Sequence, residues 1–317
     1  MLSKRMAVVA LVLVGFAAPA RALTFEFSEK DGDTLTTSQQ EAFQIAAQAW
    51  ANLLRNDVTL SVQIGFKSLG STILGQTSSS FLTAPAATVA AALRQSASTP
   101  ADTEAVTSVP SNLPESLVVS SAEAKALGLA AAVNVPSDGT IEFNSDYTFS
   151  DSRYGNGAIA AGTYDLVGIA EHEFGHLLGF DSSVDGGGDP TLLDMYRYSA
   201  PGQHSLLSGQ DAYFSLDNGA TSLASFSTGL TDQASHWLDG TYSDGSLALM
   251  NPNISVGAVQ NITSLDWTAM DVIGWDASQP DVSPVPLPAS APMFGAALLA
   301  LGAVGYGMKR RKSAAAA

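Results

Sequence analysis

The run TYDLVGIAEHEFGHLLGF, residues 163 to 180, constrains this chain more than any other stretch. From Tyr164 to Leu178 the pattern is that of a helix, and Gly179 follows as its terminator. His172 and His176 stand four positions apart, so on a helix their rings leave the same face about one turn apart and can share one ion. Phe174, Leu177 and Leu178 are apolar, which asks for burial. A buried helix carrying two imidazoles and the carboxylate of Glu173 loses much hydration energy unless something binds them. The segment therefore predicts a metal site, with Glu173 beside the ligands and able to reach water on the ion. Zinc lowers the pKa of such a water to about 7, and a nearby carboxylate can pass its proton to a leaving amine. The expected chemistry is metal-assisted hydrolysis of a peptide bond.

A catalytic zinc takes three protein ligands and keeps one position for water, so a third ligand is needed. There is no cysteine, which leaves His, Asp or Glu, and the chain has four histidines. Shortly after the helix, FDSSVDGGGDP offers Asp181 and Asp185. With Asp189 these form an acidic, glycine-flexible loop that reads either as a calcium site or as a solvated surface segment. His204, in APGQHSL, reads as a surface residue.

His172, Glu173, His176 and Gly179 match in register the motif of the metzincin metallopeptidases, which this chain resembles. The family's third histidine would fall on Ser182, a poor ligand. In the leishmanolysin branch a long insertion follows the helix, and the third histidine comes much later, shortly before a methionine turn. ASHWLDG and LALMNPN look like that branch: His236 lies 236 − 176 = 60 residues beyond His176, and Met250 follows. The resemblance implies zinc bound by His172, His176 and His236, Glu173 as general base, and Met250 as the floor beneath the metal. Asp185 and Asp181 remain alternatives for the third ligand. Loop-closure entropy grows only logarithmically with length, so the distance to His236 is no obstacle.

The net charge of −16 argues against nucleic acid or an anionic membrane surface as a partner. Both ends carry targeting chemistry. Residues 1–22 have a basic start, an apolar run and Ala20-Arg21-Ala22, the marks of a secretory signal peptide. Residues 278–288 form a proline-rich spacer, 289–308 an uncharged stretch about long enough to span a bilayer, and 309–317 a basic tail expected to stay cytoplasmic. This end resembles the PEP-CTERM sorting signal of Gram-negative bacteria, with Pro286-Leu287-Pro288 where the family has Pro-Glu-Pro. The resemblance implies processing by an exosortase-type enzyme; a plain membrane anchor is the alternative. Either places the protein at the cell surface or in the extracellular matrix.

The expected fold of residues 23–277 is α+β: an N-terminal subdomain built mostly on one sheet with the metal helix, then a smaller C-terminal subdomain with the methionine turn and a closing helix. Leu23 to Phe27 and Val58 to Phe66 alternate as strands. Ser38 and Glu41 read as a capping pair for a helix burying Phe43, Ala46, Ala47, Trp50 and Leu54. Residues 71–126 read mostly as loop, with a helix at Ala87 to Leu93. Thr140 to Phe143 reads as a strand bordering the cleft and pairing with substrate. Asn218-Gly219 marks a hairpin within 213–226, and Thr263 caps a final helix at Ser264 to Ile273. A protein or peptide substrate follows from the enzyme reading. A matrix or surface-associated binding protein with a structural or inactive zinc site is the reading from another class.

Overall fold

Leu60, Val62 and Ile64 point to one side of a strand and are fully buried, and the main sheet grows around them. The computed structural model describes residues 23–277 except 31, 109–113, 130–132, 134 and 152–158. The expected signal peptide, spacer, membrane helix and basic tail lie outside the described residues. Among the described residues no helix is long and apolar enough to cross a membrane.

The main sheet has the order β1 (Thr24–Glu29), β2 (Thr59–Lys67), β6 (Gly139–Asn144), β3 (Gly75–Ser79). The first three strands are parallel, and β3 runs antiparallel along the outer side of β6. Two helices, α1 (Thr37–Leu53) and α5 (Leu166–Leu177), pack together over the apolar face. Trp50 of α1 is fully buried and its indole donates to the Glu171 carbonyl of α5 at 2.8 Å. Phe174 of α5 meets Phe25 and Phe27 of β1, with ring centres 5.1 and 5.9 Å apart. The opposite face is polar: Thr24 bonds Thr59, Thr140 bonds Gln63, and Glu142 takes both Lys30 and Lys67. The alternation of strand residues thus separates a helix-covered face from a hydrated one.

Between β3 and β6 the chain forms β4 (Phe81–Pro85) paired with β5 (Ser116–Ser120), and the helices α2 (Ala86–Ser96), α3 (Pro100–Thr107) and α4 (Ser121–Ala126). The helix expected at Ala87 to Leu93 lies within α2, whereas the loop expected over the rest of residues 71–126 is largely regular structure. A short parallel pair, β7 (Phe149–Ser150) and β8 (Tyr164–Asp165), precedes α5. Beyond α5 comes a second, antiparallel sheet of order β10 (Gln203–His204), β9 (Arg197–Ala200), β11 (Ala212–Phe214), β12 (Ala224–Phe226). Asn218 and Gly219, both at positive φ, lie in the connection between β11 and β12, which is longer than a tight hairpin. A small hairpin, β13 (Tyr242–Ser243) and β14 (Ser246–Leu247), precedes α6 (Ser264–Val272), which ends at Gly274. The fold is α+β, with more than the single main sheet expected.

Two details differ from expectation. The cap of α1 is Thr36 with Gln39, each side chain bonding the other's backbone N–H, rather than Ser38 with Glu41. And β6, which contains Ile141 and Phe143, is paired on both sides, so it has no free backbone edge for a substrate. The outer strand on that side of the sheet is β3, with β1 at the opposite edge.

Candidate metal centre

Helix α5 delivers two of the three candidate histidines. Its apolar residues are sealed under the sheet, and its C-terminal turn is set by Gly179 at φ +117°, a conformation that L side chains rarely adopt. The chain then folds back so that Phe180 N–H donates to Gly175 O at 3.0 Å. The Phe180 carbonyl in turn accepts Nδ1–H of His176 at 2.7 Å. The same glycine that ends the helix therefore also orients a histidine on it.

The structure brings His236 to this pair. The three Nε2 atoms lie 3.1 Å (His176 to His172), 3.2 Å (His172 to His236) and 3.3 Å (His176 to His236) apart. Each Nδ1 faces a backbone carbonyl: Leu249 for His172 at 2.8 Å, Phe180 for His176 at 2.7 Å, and Gln233 for His236 at 3.2 Å. A carbonyl only accepts, so in each neutral ring the proton sits on Nδ1 and Nε2 carries a lone pair. Three lone pairs converging at hydrogen-bond distance, with no proton among them, repel one another and fit a cation at their centre. Burial holds all three imidazoles below their ordinary pKa: His172 by desolvation, His176 to about 3 by desolvation and the His172 charge, and His236 well down by desolvation and the charges of the other two rings. The group can hold a metal ion, and its three members are the set of this kind among the described residues.

Met250 lies directly beneath. It is fully buried, and a Cβ added at Gly175, between the two helix histidines, would collide with its sulfur. The turn that carries Met250 is fixed by Asp266, a fully buried residue of α6 on which the sequence pattern placed no role. Its carboxylate accepts from Leu249 N at 2.9 Å, Met250 N at 3.1 Å, Trp237 Nε1 at 2.9 Å, Thr263 N at 2.8 Å and Thr263 Oγ1 at 2.7 Å. It thus ties the residue after His236, the carbonyl-bearing partner of His172 and the methionine to one point. The signal that could have found it is the spacing Thr263-x-x-Asp266, a capping-box pattern at the start of α6.

Glu173 points from α5 toward β3. Thr77 Oγ1 lies 2.8 Å from its Oε2 and 2.9 Å from its backbone carbonyl. Gly75 leaves room: a Cβ there would come within 2.7 Å of Oε1. Burial raises the Glu173 carboxyl to about 7, against the lowering effect of Thr77.

The other candidate residues lie elsewhere. Asp181 Oδ1 accepts from Ser182 N, and burial lifts this carboxyl to about 6. Asp185 Oδ2 accepts from Ala234 N, and Asp189 Oδ2 accepts from Ser116 Oγ. Neither Asp181 nor Asp185 joins the histidine group, because each is turned to a different backbone or side-chain donor. The three aspartates face three separate partners, so they do not form the calcium cage that the loop composition allowed. His204 is half-buried rather than a surface residue, its ring 4.3 Å from that of Tyr198. The expected cap Thr263 is present, and Trp237, next to His236, is fully buried.

Comparison with protein-family models, with curated proteins and with solved structures gives no match for this chain.

Proposed function

We propose that this chain is an exported zinc-dependent endopeptidase of the metzincin type, resembling the leishmanolysin branch in layout. One observation carries the reading. Three nitrogens at about 2.0–2.1 Å from a tetrahedral zinc stand about 3.3–3.4 Å apart, and the three Nε2 separations are 3.1 to 3.3 Å. Among the described residues three such side chains meet there, which supports the open position of a catalytic rather than a structural site. When bound, the zinc supplies Lewis acidity, polarising a carbonyl and bringing the pKa of water to about 7.

The protein's own residues divide the remaining work. His172, His176 and His236 bind through Nε2, each oriented by a carbonyl on Nδ1. Glu173, held through Oε2 by Thr77, takes a proton from the attacking water and delivers it to the leaving nitrogen. Met250 keeps the floor dry and packed. Extended substrate backbone pairs with the free edge of β3, whose Thr77 bonds Glu173 and whose Gly75 leaves room for it, instead of with β6. The terminal signals support export and surface attachment, with exosortase-type processing.

The test is zinc stoichiometry together with chelator-sensitive cleavage of casein. Glu173→Gln is expected to keep one zinc per chain and to lower kcat by about 100- to 10,000-fold. Cleavage by that variant at the unaltered rate would falsify the assignment of the base.

A further inference from the structure

His236 arrives on a loop, yet its ring must meet two others to within a few tenths of an ångström. What fixes that loop is visible two residues earlier, at Ala234. Its N–H donates to Asp185 Oδ2 at 2.8 Å, and its carbonyl accepts from Arg197 Nη1, also at 2.8 Å. A carboxylate and a guanidinium therefore grip both backbone groups of one residue, each with the matching end of its charge.

Both grips are themselves held. Arg197 is wholly buried in β9; its Nη2 donates to Ser227 O at 3.0 Å and its Cζ lies 4.5 Å from the centre of the Phe226 ring. Ser227 then reaches the ligand directly, its N–H donating to the His236 carbonyl at 2.9 Å and its hydroxyl to the Trp237 carbonyl at 2.9 Å. Asp185 belongs to the loop that continues α5, nine positions after His176. That loop is pinned by buried Asp194, which accepts from Ser182 Oγ, Ser183 N, Ser183 Oγ and Thr191 N. Gly229 makes room for Asp185, since a Cβ there would collide with its Oδ1.

We infer that Asp185 and Arg197 are positioning residues that set the third metal ligand against the first two: Asp185 refers Ala234 to the helix carrying His172 and His176, and Arg197 refers it to the second sheet. This rests on the metal-site reading above. It replaces a ligand role for Asp185 with an indirect one, since its carboxylate already serves the Ala234 N–H. Buried charges used this way cost stability unless fully engaged, which favours a device kept for geometry over one kept for folding strength.

The experiment uses the full chain with zinc alone as the probe, measured by competition with a chromophoric chelator, and amide hydrogen exchange of the metal-free protein. Asp185→Ala is expected to weaken zinc binding by about 10- to 100-fold, the usual cost of losing a partner behind a ligand. The same variant is expected to speed exchange at Ser227 and Trp237, whose N–H groups hold the His236 carbonyl and the Met250 carbonyl. Asp185→Asn, which keeps an acceptor oxygen for Ala234, is expected to recover most of both. Arg197→Lys, which keeps charge but not the two-pronged reach, is expected to resemble Asp185→Ala. Unchanged zinc affinity in Asp185→Ala overturns the inference, and so does unchanged exchange at Ser227 and Trp237. A direct ligand role predicts weaker zinc binding with unchanged metal-free exchange. Absence of zinc binding in the unaltered chain defeats the enzyme reading and the metal role with it, while the exchange result still decides whether Asp185 and Arg197 place His236.

Discussion

The three-histidine group proposed as the metal centre has two halves built on different principles. His172 and His176 come from one helix, where a separation of four residues and burial under the sheet fix their relation. His236 comes from a loop, and its place depends on Asp266, Asp185, Arg197 and Ser227, drawn from distant parts of the chain. A helix converts sequence spacing into geometry by itself. A loop takes its geometry from elsewhere, here from buried polar groups whose hydrogen bonds are individually worth about 1 kcal/mol but whose loss leaves donors stranded.

The most severe test of this contrast removes one ligand from each half. His172→Ala and His236→Ala are both expected to weaken zinc binding by more than the roughly 10- to 100-fold of a change behind the ligands, measured by chelator competition. His236→Ala binding zinc like the unaltered chain would leave the loop half outside the site. A smaller effect separates the halves: Asp266→Asn turns an amide donor toward a ring of donors and is expected to cost about 1–3 kcal/mol in urea unfolding. It should also weaken zinc binding, whereas an equivalent loss confined to stability would make Asp266 a fold residue only. On the helix side, Gly175→Ala pushes a methyl into the Met250 sulfur, and about 1–3 kcal/mol of overpacking is expected from thermal melts.

The smallest expected effect is at a carboxyl whose bonds run to Thr99 and Ala277 and not to the histidines, as a control. Asp271 of α6 is raised to about 7 by burial, with Asp102 and Asp276 adding repulsion against the hydrogen bonds from Thr99 and Ala277. A carboxyl whose folded pKa lies above its unfolded value of 3.8 gives stability that is full below the unfolded value and is lost as pH rises through about 7. Asp271→Asn removes that loss, so a Tm gain of roughly 2–4 °C is expected at pH 8, what ~1 kcal/mol gives in a chain of this size, and little change near pH 4. A Tm gain equal at both pH values would remove titration of Asp271 as its cause. Zinc affinity is expected to stay unchanged.

The same contrast explains what was legible in the sequence. Periodicity revealed α1, β2, α5 and α6 because each buries an apolar stripe such as Phe43, Ala46, Ala47 and Trp50. Strand β3, GQTSS, escaped because one of its faces looks toward Glu173 and the other toward solvent, leaving no hydrophobic alternation to see. Helix α3 buries only Asp102 and Ala105, so its Thr99-Pro100-x-Asp102 start was the sole sign, and it lies inside a stretch rich in small polar residues. His236 and Met250 became visible through family resemblance, not through spacing. Asp185 drew notice as an alternative ligand, because composition shows a carboxylate and only the fold shows that it faces the Ala234 N–H. The residues that place a loop ligand carry no fixed interval from it, so no motif records them.

Gly175 and Met250 have one more consequence, for how chains of this kind can change. The absent side chain at one position and the long thioether at the other fill a single volume, shared between a helix and a turn 75 residues further on. A side chain added at 175 forces the end of Met250 to move. A larger side chain at 175 is therefore expected to be tolerated best together with a smaller one at 250, a dependency that neither helical spacing nor ligand chemistry encodes.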